Sequence, residues 1–163
     1  MHREGHYGAA LVAYAPIVFV LTALNFVTLA ILGGAVVVGG AMVPDLDQRI
    51  PGIKHRGVTH TVWFALAAGV AGGICGAVFG WSYSPVAAVV MGVFGMLVGA
   101  LAVVAHILAD VLTPAGVRSF APVRDDHYTF DVTRAANPIA NYVLLGIGNS
   151  GHCRCARPRE CCL

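Results

Sequence analysis

Residues 86–110 read VAAVVMGVFGMLVGALAVVAHILAD: twenty apolar or small residues in succession, followed by a histidine and an aspartate four positions apart. No ionisable group interrupts the run before His106, and its length is what an α-helix needs to cross the ~30 Å hydrocarbon core of a bilayer. A spacing of four puts His106 and Asp110 on one helix face. An imidazole and a carboxylate at the end of a lipid-length helix are expensive to desolvate, so their position asks for a partner such as a metal or a substrate.

The whole chain has the same character. Of 163 residues, 58% are hydrophobic and 11% charged, and the mean hydropathy is +0.77, whereas a soluble domain carries about 25% charged residues. This composition defines an integral membrane protein of a size that suits one small helical bundle. A net charge of +2, with basic residues scattered through loops, excludes nucleic acid as a partner and leaves membrane lipid as the one implied. The N-terminal apolar stretch lacks a clear small-residue cleavage site and runs too long for a signal peptide, so it reads as a retained helix.

Working outward, the apolar block 8–43 is too long for one span, and its only polar cluster, Thr22 to Thr28, divides it into helices over about 8–23 and 27–43. Pro16 is a candidate kink in the first. A third helix is expected over 60–81, closed by the interfacial aromatics and proline of Trp81-Ser82-Tyr83-Ser84-Pro85. The fourth covers about 86–112. Residues 113–133 are polar, with Pro114, Pro122 and Asp125-Asp126, and read as an irregular loop with one short strand at 128–132. The last apolar stretch, 139–147, is short enough to predict a half-buried or interfacial helix. The expected fold is therefore all-α: four transmembrane helices plus a short C-terminal interfacial helix, forming one membrane-embedded domain over 1–150. Residues 151–163 hold four of the five cysteines and read as a flexible tail. Gly72, Gly76 and Gly80 recur every four residues, as do Gly95 and Gly99. Such spacing lets two helices approach closely in lipid, although glycine is also simply common in membrane helices.

Alternating helix directions bring four helix ends to one side of the membrane. Those ends carry His6, then Asp45 and Asp47, then His55 and His60, then His106 and Asp110, while the turns near Asn25 and Ser82 hold no Asp, Glu, His, Lys or Arg. Charged groups must sit at helix ends in any case, but a supply restricted to His and Asp, without Lys, matches the ligands of zinc or manganese. Arg3, Arg49, Lys54, Arg56, Arg118, Arg124 and Arg134 fall on the same side. The positive-inside rule places that side in the cytoplasm.

Glu4-Gly5-His6, Pro44-Asp45-Leu46-Asp47, His55-Arg56-Gly57-Val58-Thr59-His60-Thr61 and His106-Ile107-Leu108-Ala109-Asp110-Val111-Leu112-Thr113-Pro114-Ala115-Gly116-Val117 resemble the successive motifs of the YdjM-type membrane-bound metal-dependent hydrolases, over about residues 4–125. More distantly, the His and Asp pattern is similar to that of the zinc-dependent phospholipase C and P1 nuclease group. The resemblance implies a metal-dependent hydrolase of the inner membrane, with one to three divalent ions, zinc first and manganese second. It makes His6, Asp45, His60, His106 and Asp110 the leading ligands, with His55 and Asp47 next. A metal-activated water would attack a phosphoester of a lipid or lipid-linked substrate. Asp47 would orient that water, and Lys54, Arg56 and Arg118, which border the motifs, would hold phosphate oxygens, Arg56 also stabilising the charge that develops. The alternatives are a non-catalytic, metal-stabilised membrane protein that acts as a scaffold or handles metal, and, further off, a membrane-embedded protease. Serine-hydrolase, zincin and nucleotide-binding motifs are missing from the sequence.

Overall fold

The computed structural model describes residues 1–49 and 56–156, with the side chains of Arg49 and 151–156 outside the description. Five α-helices make up the described chain: α1 (Arg3–Ala23), α2 (Val27–Gly40), α3 (Val62–Trp81), α4 (Pro85–Val111) and α5 (Pro138–Ala156). Short 3₁₀ turns occupy Pro44–Arg49 and Val58–His60. Four helices are long and apolar enough to cross a membrane, the second counted through its 3₁₀ extension to Gln48. Their outer faces fit that setting: Phe19, Ile31, Ile74 and Val93 are each more than half exposed, a surface suited to lipid and not to water.

The boundaries follow local chemistry. Asn25 ends α1 with φ 66°, the left-handed conformation that asparagine tolerates better than most residues, so the chain reverses into α2 within three residues. Thr22 satisfies its hydroxyl inside the helix by donating to Val18 O at 2.8 Å. The far turn is capped by the Ser84 hydroxyl, which accepts from Ala87 N at 3.0 Å ahead of Pro85 at the first helical position. Thr61 caps α3 by accepting from Phe64 N.

Helices α3 and α4 form the tightest pair, and glycine is the reason. A methyl group added at Gly72 would strike the Gly95 carbonyl, one at Gly76 the Met91 carbonyl, and one at Gly80 the Ala87 carbonyl. The stripe seen in the sequence is thus an antiparallel seam in which backbone touches backbone, the arrangement that drives association where lipid is as apolar as side chains. Across the bundle, Tyr14 is fully buried and donates to Ala30 O at 3.0 Å. Its ring and that of Phe94 fill the space that a side chain at Gly33 would take, tying α1, α2 and α4 together.

Two expectations change. The strand expected at 128–132 does not form: Tyr128 makes an isolated bridge to Val117, while the amides of Phe130 and Val132 bond to Val111 O and Leu112 O. Those carbonyls at the end of α4 have no partner within the helix, and the loop supplies one. The last helix has nineteen residues instead of about ten. It begins at Asn137-Pro138, where the Asn137 side chain accepts from Ile139 N and Ala140 N, and runs parallel to α1, with Asn141 against Gly5, Leu144 and Leu145 against Gly8, and Gly148 against Leu11.

Candidate metal centre

The start of α1, the chain just past α2, the turn before α3 and the end of α4 meet at one end of the bundle. His6, His60, His106 and Asp110 are buried there, and Asp45 nearly so. His60 Nε2 and His106 Nε2 lie 3.1 Å apart. Asp45 Oδ1 is 3.5 Å from each of them. Asp110 Oδ2 is 3.5 Å from His60 Nε2 and 3.7 Å from His106 Nε2, and Asp110 Oδ1 is 3.7 Å from His6 Nε2. The His6 ring stacks on His106 with centroids 3.9 Å apart. Two donor triads result, His6/Asp45/His106 and His60/His106/Asp110.

The hydrogen bonds fix the tautomers. His106 Nδ1 sits 2.6 Å from the Ala41 carbonyl, which can only accept, so Nδ1 carries the proton and Nε2 presents a lone pair. Thr59 donates its hydroxyl to Asp47 Oδ2 at 2.7 Å, leaving its oxygen to accept from His60 Nδ1 at 3.0 Å, so His60 Nε2 is a lone pair as well. Two lone pairs facing each other at 3.1 Å, among carboxylates and out of water, repel unless a cation stands with them. A proton meets that need for the two nitrogens alone. A divalent ion can meet it for the His60/His106/Asp110 triad, whose separations of 3.1–3.7 Å lie close to the ligand-to-ligand edges of about 3.0–3.4 Å around an ion with bonds of about 2.0–2.1 Å. Among the described residues, the buried His6 Nδ1 has no hydrogen-bond partner. The donor set fits a metal.

The other nominated residues separate by position. Asp47 is buried on the Nδ1 side of His60, 3.5 Å from that nitrogen, and also accepts from Arg56 N at 3.2 Å. Arg56 adopts φ 60°, unusual for a residue with a side chain. Its guanidinium donates to Asp110 Oδ1 and to Gly116 O, each at 3.2 Å. Arg118, by contrast, is 59% exposed and faces Asp125 at 4.0 Å. Lys54 and His55 lie outside the described residues. Sequence reasoning missed the Ala41 carbonyl, the Thr59 hydroxyl and the Met1 amino nitrogen, which is 2.8 Å from Asp110 Oδ1. Only Thr59 left a signal, inside the His55 to His60 motif.

These features define a class: a membrane-spanning helical bundle with a buried His/Asp centre at one membrane face. The chain belongs to the YdjM inner membrane protein family, whose model matches residues 1–161. The match takes in α5 and most of the tail, beyond the 4–125 covered by the motifs. No curated protein and no solved structure matches the chain, so the likeness to the phospholipase C and P1 nuclease group rests on residue pattern alone.

Proposed function

We propose that this inner-membrane protein is a hydrolase dependent on one divalent metal ion, zinc before manganese, that cleaves a phosphoester in a lipid or lipid-linked substrate. The observation that carries the reading is the convergence of two imidazole lone pairs, a third imidazole and two carboxylates in a chamber closed to water except beside Asp45. Of the one to three ions the sequence suggests, His106 supports one: it belongs to both triads, but Nδ1 is committed to Ala41 and Nε2 has a single lone pair.

A divalent ion held there supplies an acidified water and neutralises charge on a phosphoryl group. The protein's own contribution is placement. His6, Asp45, His60, His106 and Asp110 hold the ion. Asp47 and Thr59 fix the His60 ring, in the manner of the carboxylates that orient metal-bound imidazoles, and Arg56 fixes Asp110. Asp47 and Arg56 thus become positioning residues in this reading, and Arg118 has no role. Depth favours a lipid substrate: α4 begins at Pro85, and twenty residues at 1.5 Å each cover about 30 Å, so His106 sits where hydrocarbon gives way to headgroups. The arginine distribution supports a cytoplasmic location for this face.

The test pairs metal analysis of purified protein with a screen of phosphodiester and phosphomonoester lipids in bilayers. Wild type should hold one ion and turn over at least one ester, while Asp110→Ala loses both. Full metal content in Asp110→Ala refutes the site, and metal-replete wild type that cleaves no phosphate ester refutes the hydrolase.

A further inference from the structure

Among the described residues, the candidate centre is most exposed at Asp45. The side chains of His6, His60, His106 and Asp110 are 2% exposed or less, whereas Asp45 is 16% exposed. Asp45 is also the wall shared with a cleft of about 730 Å³ that lies between the first turns of α1 and the 3₁₀ turn after α2. Arg3, Tyr7, Met42, Leu46 and Gln48 line it. That volume lies in the range of small-molecule sites.

Charge indicates what the cleft receives. Among the described residues, the cations on this cleft are the Met1 ammonium, which pairs with Asp110 Oδ1 at 2.8 Å, and the Arg3 guanidinium. Arg56 is committed to Asp110 and Gly116, and Arg118 stands beside Asp125. Among the described residues, the exposed Arg3 side chain lines the cleft and makes no ion pair or hydrogen bond. Guanidinium matches phosphate oxygens in geometry and charge. Tyr7 and Gln48 add neutral donors, and Met42 and Leu46 make one wall apolar.

We propose that this cleft is the substrate site and that Arg3 binds the phosphate of the ligand against the Asp45 face, with Met42 and Leu46 taking the apolar part next to it. The inference rests on the hydrolase reading for the chemistry of the ligand, and it adds Arg3 as a substrate-binding residue. The full-length, zinc-loaded protein in phosphatidylcholine nanodiscs is titrated calorimetrically with inorganic phosphate and with short-chain phosphatidic acid. Arg3→Gln should retain its zinc and bind phosphate roughly 10- to 100-fold more weakly, the usual loss for a charge-assisted contact. Arg3→Lys should recover part of the affinity, and Arg124→Gln in the exposed loop should match wild type. Tighter binding of phosphatidic acid than of inorganic phosphate supports the site with a lipid headgroup as its ligand, and equal affinities support it with free phosphate chemistry. Arg3-dependent binding without turnover of any ester leaves the cleft standing and removes the hydrolase. The cleft assignment is overturned if metal-replete wild type binds neither probe, or if Arg3→Gln binds as tightly as wild type.

Discussion

Replacing Asp47 by Asn keeps the shape of the side chain and removes its charge. In the folded protein Asp47 is buried, accepts from the Thr59 hydroxyl at 2.7 Å and from Arg56 N at 3.2 Å, and lies 3.5 Å from His60 Nδ1. Its carboxylate therefore sets the direction of the proton chain from His60 through Thr59, and so leaves Nε2 as the lone pair that faces the centre. The amide puts a donor where an acceptor stood and no longer draws on the Nδ1 proton. Losing an orienting partner of this kind costs about 10- to 100-fold in metal affinity, equivalent to about 1.4–2.7 kcal/mol. Competition with a chelator of known affinity, on purified protein in nanodiscs, should give that loss while one ion per chain is still reached at saturating metal. Asp126→Asn, in the exposed loop, should change nothing. Unchanged affinity in Asp47→Asn would refute the relay. Failure to reach one ion per chain at saturation would refute it differently, by making Asp47 a direct ligand.

Two further outcomes concern the bundle. A topology reporter fused at Ser82, in the turn between α3 and α4, should prove periplasmic, and a cytoplasmic signal would reverse the orientation taken from the arginines. Gly76→Ala drives a methyl into the Met91 carbonyl and should lower stability in detergent by about 1–3 kcal/mol, the usual cost of overpacking. Gly39→Ala meets nothing within 4 Å and should be neutral or stabilising by up to about 1 kcal/mol. Equal melting temperatures for these two variants would contradict the α3–α4 seam.

The spans were legible because lipid imposes one rule, that about twenty apolar residues make a crossing, and residues 86–105 satisfy it without interruption. Alternation of helix direction then brought His6, Asp45, His60, His106 and Asp110 to one face, and the structure gathers them into two donor triads that share His106. What the sequence hid was main-chain chemistry. The Ala41 carbonyl that fixes the His106 tautomer carries no side-chain signal, and the pairing of the 128–132 segment with the end of α4 depends on which carbonyls a helix leaves open. The reach of Arg56 to Asp110 joins residues 54 positions apart, which a motif read in isolation does not report. Arg118 reads the same way in sequence, and in the structure it is exposed and faces Asp125.

The element least legible in the sequence supports the first ligand of the centre. The apolar run 139–147 is too short to signal a long helix, because the second half of α5 is polar and glycine-rich. Packing against α1 replaces the missing periodicity. Asn141 is buried, anchored by its amide to Ala135 O and Asn137 O, and its carbonyl end occupies the place of a side chain at Gly5, immediately before His6. Gly8 lies against the backbone of Leu144 and Leu145. The first turns of α1 are therefore held between α5 on one side and the stacked His106 ring on the other. Neither Gly5 nor Gly8 tolerates a larger residue, and the reason is positional: each added atom displaces the helix that aims His6 at the centre.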